Sequence, residues 1–242
     1  MRTLLIPIAP LSRTKSRLRD CFTTDQLKNL TICMFKDLCN TLSKVSSFDI
    51  ILVYCNNEEI LDIAENHDLI GIKEVLTKPR KSFDEVINDL NNIAINDFDA
   101  NETVFTFLDL ILISEVNFNE ISKLMDNCEL LICPCIHSAG ISVLGRKPPD
   151  IMESYFSDPQ IPSFIAQLSS AKKKGLTKIS IYDSFRAGFD IDIKQDLVLG
   201  YEYLKILDMQ DTYTYKFLDE NLNLSVQKLS LQNNREFKIV KE

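Results

Sequence analysis

Apolar runs of strand length alternate with helix-spaced segments along most of this chain, and that alternation limits the fold more than any other feature. TLLIPIA (3–9), DIILVYC (49–55), TVFTFLDL (103–110) and ELLICPC (129–135) carry apolar residues on both sides of the chain. Such strands are covered on both faces, as when helices pack on a mostly parallel sheet. IKEVLT (72–77), a short stretch at 140–145 and TKISIYD (177–183) read as further strands. Between them, residues 24–45 place Leu27, Leu30, Met34, Leu38 and Leu42 at helical spacing, with Thr23 or Thr24 as N-cap. Residues 57–65, 83–96, 117–127, 150–156, 162–174 and 194–208 also read as helices. After Asp211, LNLSVQKLSL and REFKIV read as a hairpin. The expected fold is a single-domain, three-layer α/β/α structure over 1–210, with 211–242 as a hairpin-like extension of it. Ligands of such folds bind at the carboxyl ends of the strands.

Composition excludes several functions. A formal net charge of −8 argues against a nucleic-acid partner, which needs broad basic surface. No apolar stretch reaches the roughly 18–20 residues that span a bilayer, so no membrane partner is expected. MRTLLIPIAP is too short and lacks the small-residue site of a signal peptide, which predicts a cytoplasmic protein. The seven cysteines form no C-x-x-C pair and the chain has only two histidines, His67 and His137. They read as buried thiols in a reducing compartment rather than a zinc site.

Against that acidic background, Arg13, Lys15, Arg17 and Arg19 fall within seven residues, just after the first apolar run. Cations in a loop are often solvated surface. Here the loop follows a buried strand and precedes a helix, the usual layout of α/β nucleotide sites, and a triphosphate is the natural anion.

Two sets of acids complement it. Asp109 closes the strand Val104-Phe105-Thr106-Phe107-Leu108, at the ligand edge of such a sheet. In extended backbone, Asp190 and Asp192 project to one side with Ile191 opposite. Two carboxylates joined by a third from another strand make a hard oxygen site suited to Mg²⁺. A turn or helix-capping role accounts for the same acids without a metal. His137 precedes a small-residue loop, Ser138-Ala139-Gly140-Ile141-Ser142, that lets a ligand approach the backbone.

IPIAPLSRTKSRL (6–18), FLDLILIS (107–114), PSF (162–164) and YDSFRAGFDIDIKQDL (182–197) together resemble the 2-phospho-L-lactate guanylyltransferases, in order and spacing over about residues 1–207. That family has the nucleotide-diphospho-sugar transferase fold and makes an intermediate of the deazaflavin coenzyme F-420 in methanogens and actinobacteria. The resemblance implies GTP and a small phosphorylated acid as partners, Mg²⁺ as cofactor and a methanogen as source. It implies that Lys15 and Arg17 hold the β/γ-phosphates, with Pro7, Arg13 and Asp84 also at the nucleotide. Asp109, Asp190 and Asp192 would hold the metal, Lys15, Arg17 and Asp109 would carry the catalysis, and Gly140, Ser142 and Ser163 would meet the acceptor. A homodimer is allowed by the sequence and not required by it.

Several positions depart from the family pattern. Its lysine after the first proline is Ala9 here, and its histidine after the S-F pair is Gln167. A leucine–asparagine pair that helps hold the base matches Phe83-Asp84, and a glycine-rich G-G-T-N loop matches Ser138-Ala139-Gly140-Ile141. Two alternatives stay open on these grounds: transfer to another phosphorylated acceptor, and a silent paralogue that binds nucleotide or a partner protein.

Overall fold

The computed structural model describes residues 1–229 and 237–241. At its centre is a seven-stranded sheet of β1 (Arg2–Pro7), β2 (Ile50–Cys55), β3 (Ile70–Lys73), β4 (Glu102–Thr106), β5 (Leu130–Pro134), β6 (Ile141–Arg146) and β7 (Ile179–Ile181). Its strand order is β3-β2-β1-β4-β6-β5-β7. Every neighbouring pair is parallel except those of β6, which runs antiparallel to β4 and β5.

The strands are apolar on both faces because each face has its own helical cover. Leu4 and Ile6 of β1, Val53 of β2 and Val104 of β4 pack under α1 (Thr24–Leu42), α2 (Glu58–Glu65) and α4 (Glu115–Met125). Leu5, Leu52 and Phe105 point the other way, against α3 (Phe83–Phe98) and α5 (Ser163–Lys173). Thr23 caps α1, accepting from the Gln26 backbone, in a reciprocal capping box. The outer side of α1 is also apolar. Leu27, Leu30 and Met34 bury against Leu197 and Leu204 of α7 (Lys194–Ile206), Leu218 of α8 (Tyr213–Asn221) and Leu224 of β8 (Leu224–Lys228). β8 pairs with β9 (Phe237–Lys241) in a separate antiparallel ribbon. The segments read as a hairpin partly lie outside the described residues.

Four sequence expectations change. Residues 150–156 are irregular, because side chains elsewhere satisfy their backbone: Gln167 accepts from Tyr155 N at 3.1 Å and Asp84 from Phe156 N at 2.7 Å. The third strand lies at 70–73, and Val75 and Leu76 beyond it are exposed. The β4 strand stops at Thr106, so Phe107–Leu110 turn out of the sheet. Helix α8 carries too few buried positions, Thr214 and Leu218, to show a period in the sequence.

A short helix α6 (Phe185–Gly188) joins β7 to the acidic segment, and Ile136 N donates to the Gly188 carbonyl at 2.9 Å. A Cβ on Gly188 would stand 2.6 Å from the Pro134 carbonyl, a backbone atom that cannot swing aside. Gly188→Ala is expected to lower stability by about 1–3 kcal/mol. Urea unfolding tests this, and an unchanged midpoint would show that the junction has slack.

Candidate active site

The sheet order reverses between β1 and β4: the chain moves outward from β1 through β2 to β3, then crosses back to place β4 on the other side. Crevices at such switch points are where open α/β sheets take ligands. Here the carboxyl ends of β1 and β4 open onto a cavity of about 450 Å³.

After β1 the chain runs through the cationic loop into a single 3₁₀ turn, Ser16–Leu18. Leu18 is fully buried among α1 and α7 residues and anchors the turn. Lys15 takes φ 46° and ψ 39°, left-handed backbone that costs a non-glycine residue about 1 kcal/mol or more. The lysine side chain is only 9% exposed, whereas that of Arg17 is 69% exposed.

The Lys15 ammonium meets the acids. It donates to Asp109 Oδ2 at 2.5 Å and to the Ile191 carbonyl, and lies 3.6 Å from Asp192 Oδ1. Arg17 pairs with Asp192 Oδ2 at 3.0 Å. Burial pulls the Lys15 ammonium down, but Asp109, with Asp192 and Asp190, outweighs it and leaves Lys15 above its ordinary value. The acidic segment is fixed from two sides. Ile191 is fully buried and its N–H donates to the Asp109 carbonyl at 3.2 Å. Asp196 accepts from Asp192 N and Ile193 N at 3.0 and 2.9 Å, and its other oxygen lies 2.8 Å from His137 Nδ1.

Among the described residues Asp190 has no cation of its own. Burial, then the Asp109 charge, push its carboxyl up to about 6 against a hydrogen bond from the Cys135 thiol, with Asp192 adding to the rise. Burial and the same acids keep that thiol protonated, well above its ordinary range.

Pro7, Arg13, Lys15, Arg17, Asp109, Asp190 and Asp192 all line the cavity, as do Gly140, Ser142 and Ser163. Asp84 does not. Its carboxylate accepts from Phe156 N at 2.7 Å and Ser157 N at 2.9 Å, so it shapes the cavity wall rather than a ligand contact. The Ser142 hydroxyl is buried and donates to the Cys133 carbonyl at 3.2 Å, so any ligand must compete with that bond. Ser163 opens α5, where Phe164 N reaches the Ala139 carbonyl at 3.2 Å. Gln167 is fully buried and bonds to the Tyr155 and Glu153 backbone, leaving it structural.

The acids lining the cavity are not a ready-made metal cage. Among the described residues no group of three or more His, Cys, Asp or Glu is poised to hold an ion. The Lys15 ammonium lies among Asp109, Asp190 and Asp192 instead. Yet the donor set suits Mg²⁺. It is all hard oxygen, Asp109 Oδ1 is buried with no hydrogen-bond partner, and Asp190 is short of a counter-charge. Mg²⁺ needs only one or two carboxylates when phosphates complete its shell.

Sequence reasoning missed the aromatic wall. Phe83, Phe107 and Phe156 stack edge-on or tilted with centroids 5.3–5.9 Å apart, all at the cavity. They come from three separate segments, and only tertiary structure brings them together.

The family model for guanylyl transferases described as CofC like matches residues 1–241. A 2-phospho-L-lactate guanylyltransferase of Methanocaldococcus jannaschii is 30% identical over 224 residues, covering 93% of this chain and 90% of its own. One from Methanocaldococcus infernus is 27% identical over 238 residues, covering 98% and 99%. Among solved structures, a protein of Desulfovibrio desulfuricans provisionally named a nucleotide-diphospho-sugar transferase aligns with a TM-score of 0.70 at 14% identity. It covers 91% of this chain and 94% of its own, a likeness of fold.

The raised Asp190 carboxyl sets a direction for stability. Unfolded, the group ionises near 3.8, and folded near 6, so the native state binds more protons between those values. Its unfavourable contribution is absent below the unfolded value, grows as pH rises through the window and is complete above 6. Asp190→Asn should therefore raise the urea midpoint at pH 7 and leave it little changed at pH 4. Equal gains at both pH values would disprove the assignment.

Proposed function

The chain belongs to the CofC-like guanylyl transferase family, and we propose that it joins GMP from GTP to 2-phospho-L-lactate, or to phosphoenolpyruvate, releasing pyrophosphate in the biosynthesis of coenzyme F-420. The observation that supports this reading best is the meeting of Lys15 and Arg17 with Asp109 and Asp192 at the switch point of the sheet. Cations suited to a triphosphate and carboxylates suited to its metal share one cavity.

In this reading a phosphate oxygen of the acceptor attacks the α-phosphorus of GTP. A new P–O bond forms, the bond to the bridging α–β oxygen breaks, and pyrophosphate leaves with the electron pair. A phosphate monoester is already ionised near neutral pH, so no general base is needed. The protein contributes alignment and charge neutralisation. Arg17 is exposed and turns readily from Asp192 to the β/γ-phosphates. Lys15 reaches the same groups when Asp109 takes another cation. Asp109, Asp190 and Asp192 would hold Mg²⁺, which would draw charge from the phosphates in the transition state. Pro7 and Arg13 belong to the nucleotide wall, and Ser163 at the α5 N-terminus suits the acceptor's anionic end. The compartment in this reading is the cytoplasm, in keeping with seven free thiols.

A second reading, the same transfer to a different phosphorylated acid, is favoured by the 138–142 loop. Gly140 and Ile141 carry no side-chain donor, and the Ser142 hydroxyl is engaged with the backbone. A panel of phosphorylated acids, assayed for Mg²⁺-dependent pyrophosphate release from GTP, separates the two. No release with any acceptor would leave only the silent paralogue.

The Asp192 side chain is about half exposed, so Asp192→Asn should change stability by only about 0.5 kcal/mol. If Asp192 serves the metal, turnover should fall by about 100-fold or more. Pyrophosphate release at saturating GTP and Mg²⁺, run beside a melting curve, reads both. Wild-type turnover would remove Asp192 from the site.

A further inference from the structure

A second cavity adjoins the first beneath the cationic loop, sharing Pro7, Ala9, Arg13 and Phe83 with it. The rest of its wall combines apolar Pro10, Leu76 and Val86 with Arg80, Lys81 and one acid, Glu74. Glu74 follows β3, its N–H tied to the Cys55 carbonyl at 2.9 Å, and the residue is only 9% exposed.

The Glu74 carboxylate makes no hydrogen bond or ion pair among the described residues. Burial raises it from its ordinary value, against the more distant charges of Lys81, Arg80 and Arg13. Lys81, the cation acting on it most, is committed to Asp89. Its oxygens are still reached by solvent through the cavity mouth, and a carboxylate that faces a cavity with no protein donor is a place where a ligand's donors can bind.

The surroundings restrict those donors. Arg13, Arg80 and Lys81 at the same cavity disfavour a cationic ligand. The apolar walls suit a flat ring, and the shared wall places that ring beside the cleft read as holding phosphates. A neutral ring with two adjacent N–H donors matches a carboxylate bidentately, and among the nucleobases guanine presents that edge through N1–H and the 2-amino group.

We infer that Glu74 is the base-specificity residue of this chain, its carboxylate accepting from guanine N1–H and the 2-amino group in the cavity below the cationic loop. The inference rests on the guanylyl-transfer reading for the placement of the phosphates. Adenine would set its N1 lone pair against the carboxylate, and hypoxanthine would supply one donor instead of two. The exposed Leu76, 51% accessible, gains a role as a rim that covers the ring.

The test compares wild type with Glu74→Gln and Glu74→Ala, using GTP, ITP and ATP for pyrophosphate release and GDP, IDP and ADP for calorimetric binding in Mg²⁺. Wild type should prefer guanine over hypoxanthine and over adenine. Glu74→Gln should weaken GTP by about 10- to 100-fold, chiefly in KM. It should weaken ITP less and narrow both the GTP/ITP and GTP/ATP ratios, and Glu74→Ala should do the same. A Gln variant that keeps the wild-type ratios while remaining folded by its melting curve overturns the inference. The binding arm keeps it separate from the transfer reading. If no nucleotide yields pyrophosphate, a GDP preference erased by Glu74→Gln still supports the base site, whereas wild type binding GDP and ADP alike refutes it.

Discussion

The contact between Lys15 and Asp109 governs the rest of the site. It ties the loop after β1 to the turn after β4, the two strands at which the sheet order reverses. Both groups are largely out of water, at 9% and 18% exposure, so neither could be left alone without a large desolvation cost. The pair also explains the backbone of Lys15. A left-handed residue is strained, and the strain persists because the turn directs the ammonium inward while Leu18 anchors it from the other side.

The same economy runs through the supporting shell. Asp109 accepts Lys15 with its side chain and Ile191 N–H with its backbone, so the two acidic segments move together. Asp196 accepts from the Asp192 and Ile193 N–H groups just ahead of α7, which fixes the position of Asp192, and it also restrains His137. On the other wall, Asp84 orders the 156–157 backbone and so sets Phe156 against Phe83 and Phe107. Distant cores reach the site through these bonds. Helix α1 belongs to two apolar clusters at once, one under the sheet and one with α7, α8 and β8, and Leu18 of the cationic turn joins the second.

What was legible in the sequence follows from locality. Apolar runs such as 49–55 declare themselves because burial on both faces leaves no polar stripe, and Asp190-Ile191-Asp192 shows its geometry because a strand-like period acts over two residues. The cationic cluster and the acid at a strand end single out Lys15, Arg17 and Asp109, and the resemblance to the guanylyltransferases implies their roles. The failures share the opposite property. Residues 150–156 look helical, but Asp84 and Gln167, distant in sequence, claim their N–H groups. Asp84 reads as a ligand contact, but it lies outside the cavity lining and its two oxygens accept from Phe156 and Ser157 N–H. Glu74 is an unremarkable acid in the string IKEVLT, since nothing local reveals that β3 ends there or that a cavity lies beneath the loop. The strand at 70–73 and the helix at 213–221 are obscure in the sequence for the related reason that edge and surface elements bury too little to show a period.

Three acids on one wall pose a folding problem before they serve any ligand. Two like charges about 5 Å apart repel by roughly 3 kcal/mol even at an effective dielectric near 20. Lys15 and Arg17 offset much of that repulsion for Asp109 and Asp192, whereas Asp190 keeps its proton only up to about pH 6 and adds a poorly compensated charge above it. Asp109 and Asp192 are therefore neutralised internally, and any cation that enters competes with an ammonium already 2.5 Å from Asp109. In the proposed reaction the Lys15 ammonium would turn from Asp109 to the arriving phosphates, and Asp109 would then be available to help hold Mg²⁺, whose charge would replace that of the ammonium beside the carboxylate. Lysine serves this exchange better than arginine would. Its single, rotatable ammonium moves between a carboxylate and a phosphate over a short distance, while a guanidinium fork held bidentately must break two bonds to do so. The exposed Arg17 completes the set from the solvent side, where its pairing to Asp192 is weak enough to yield.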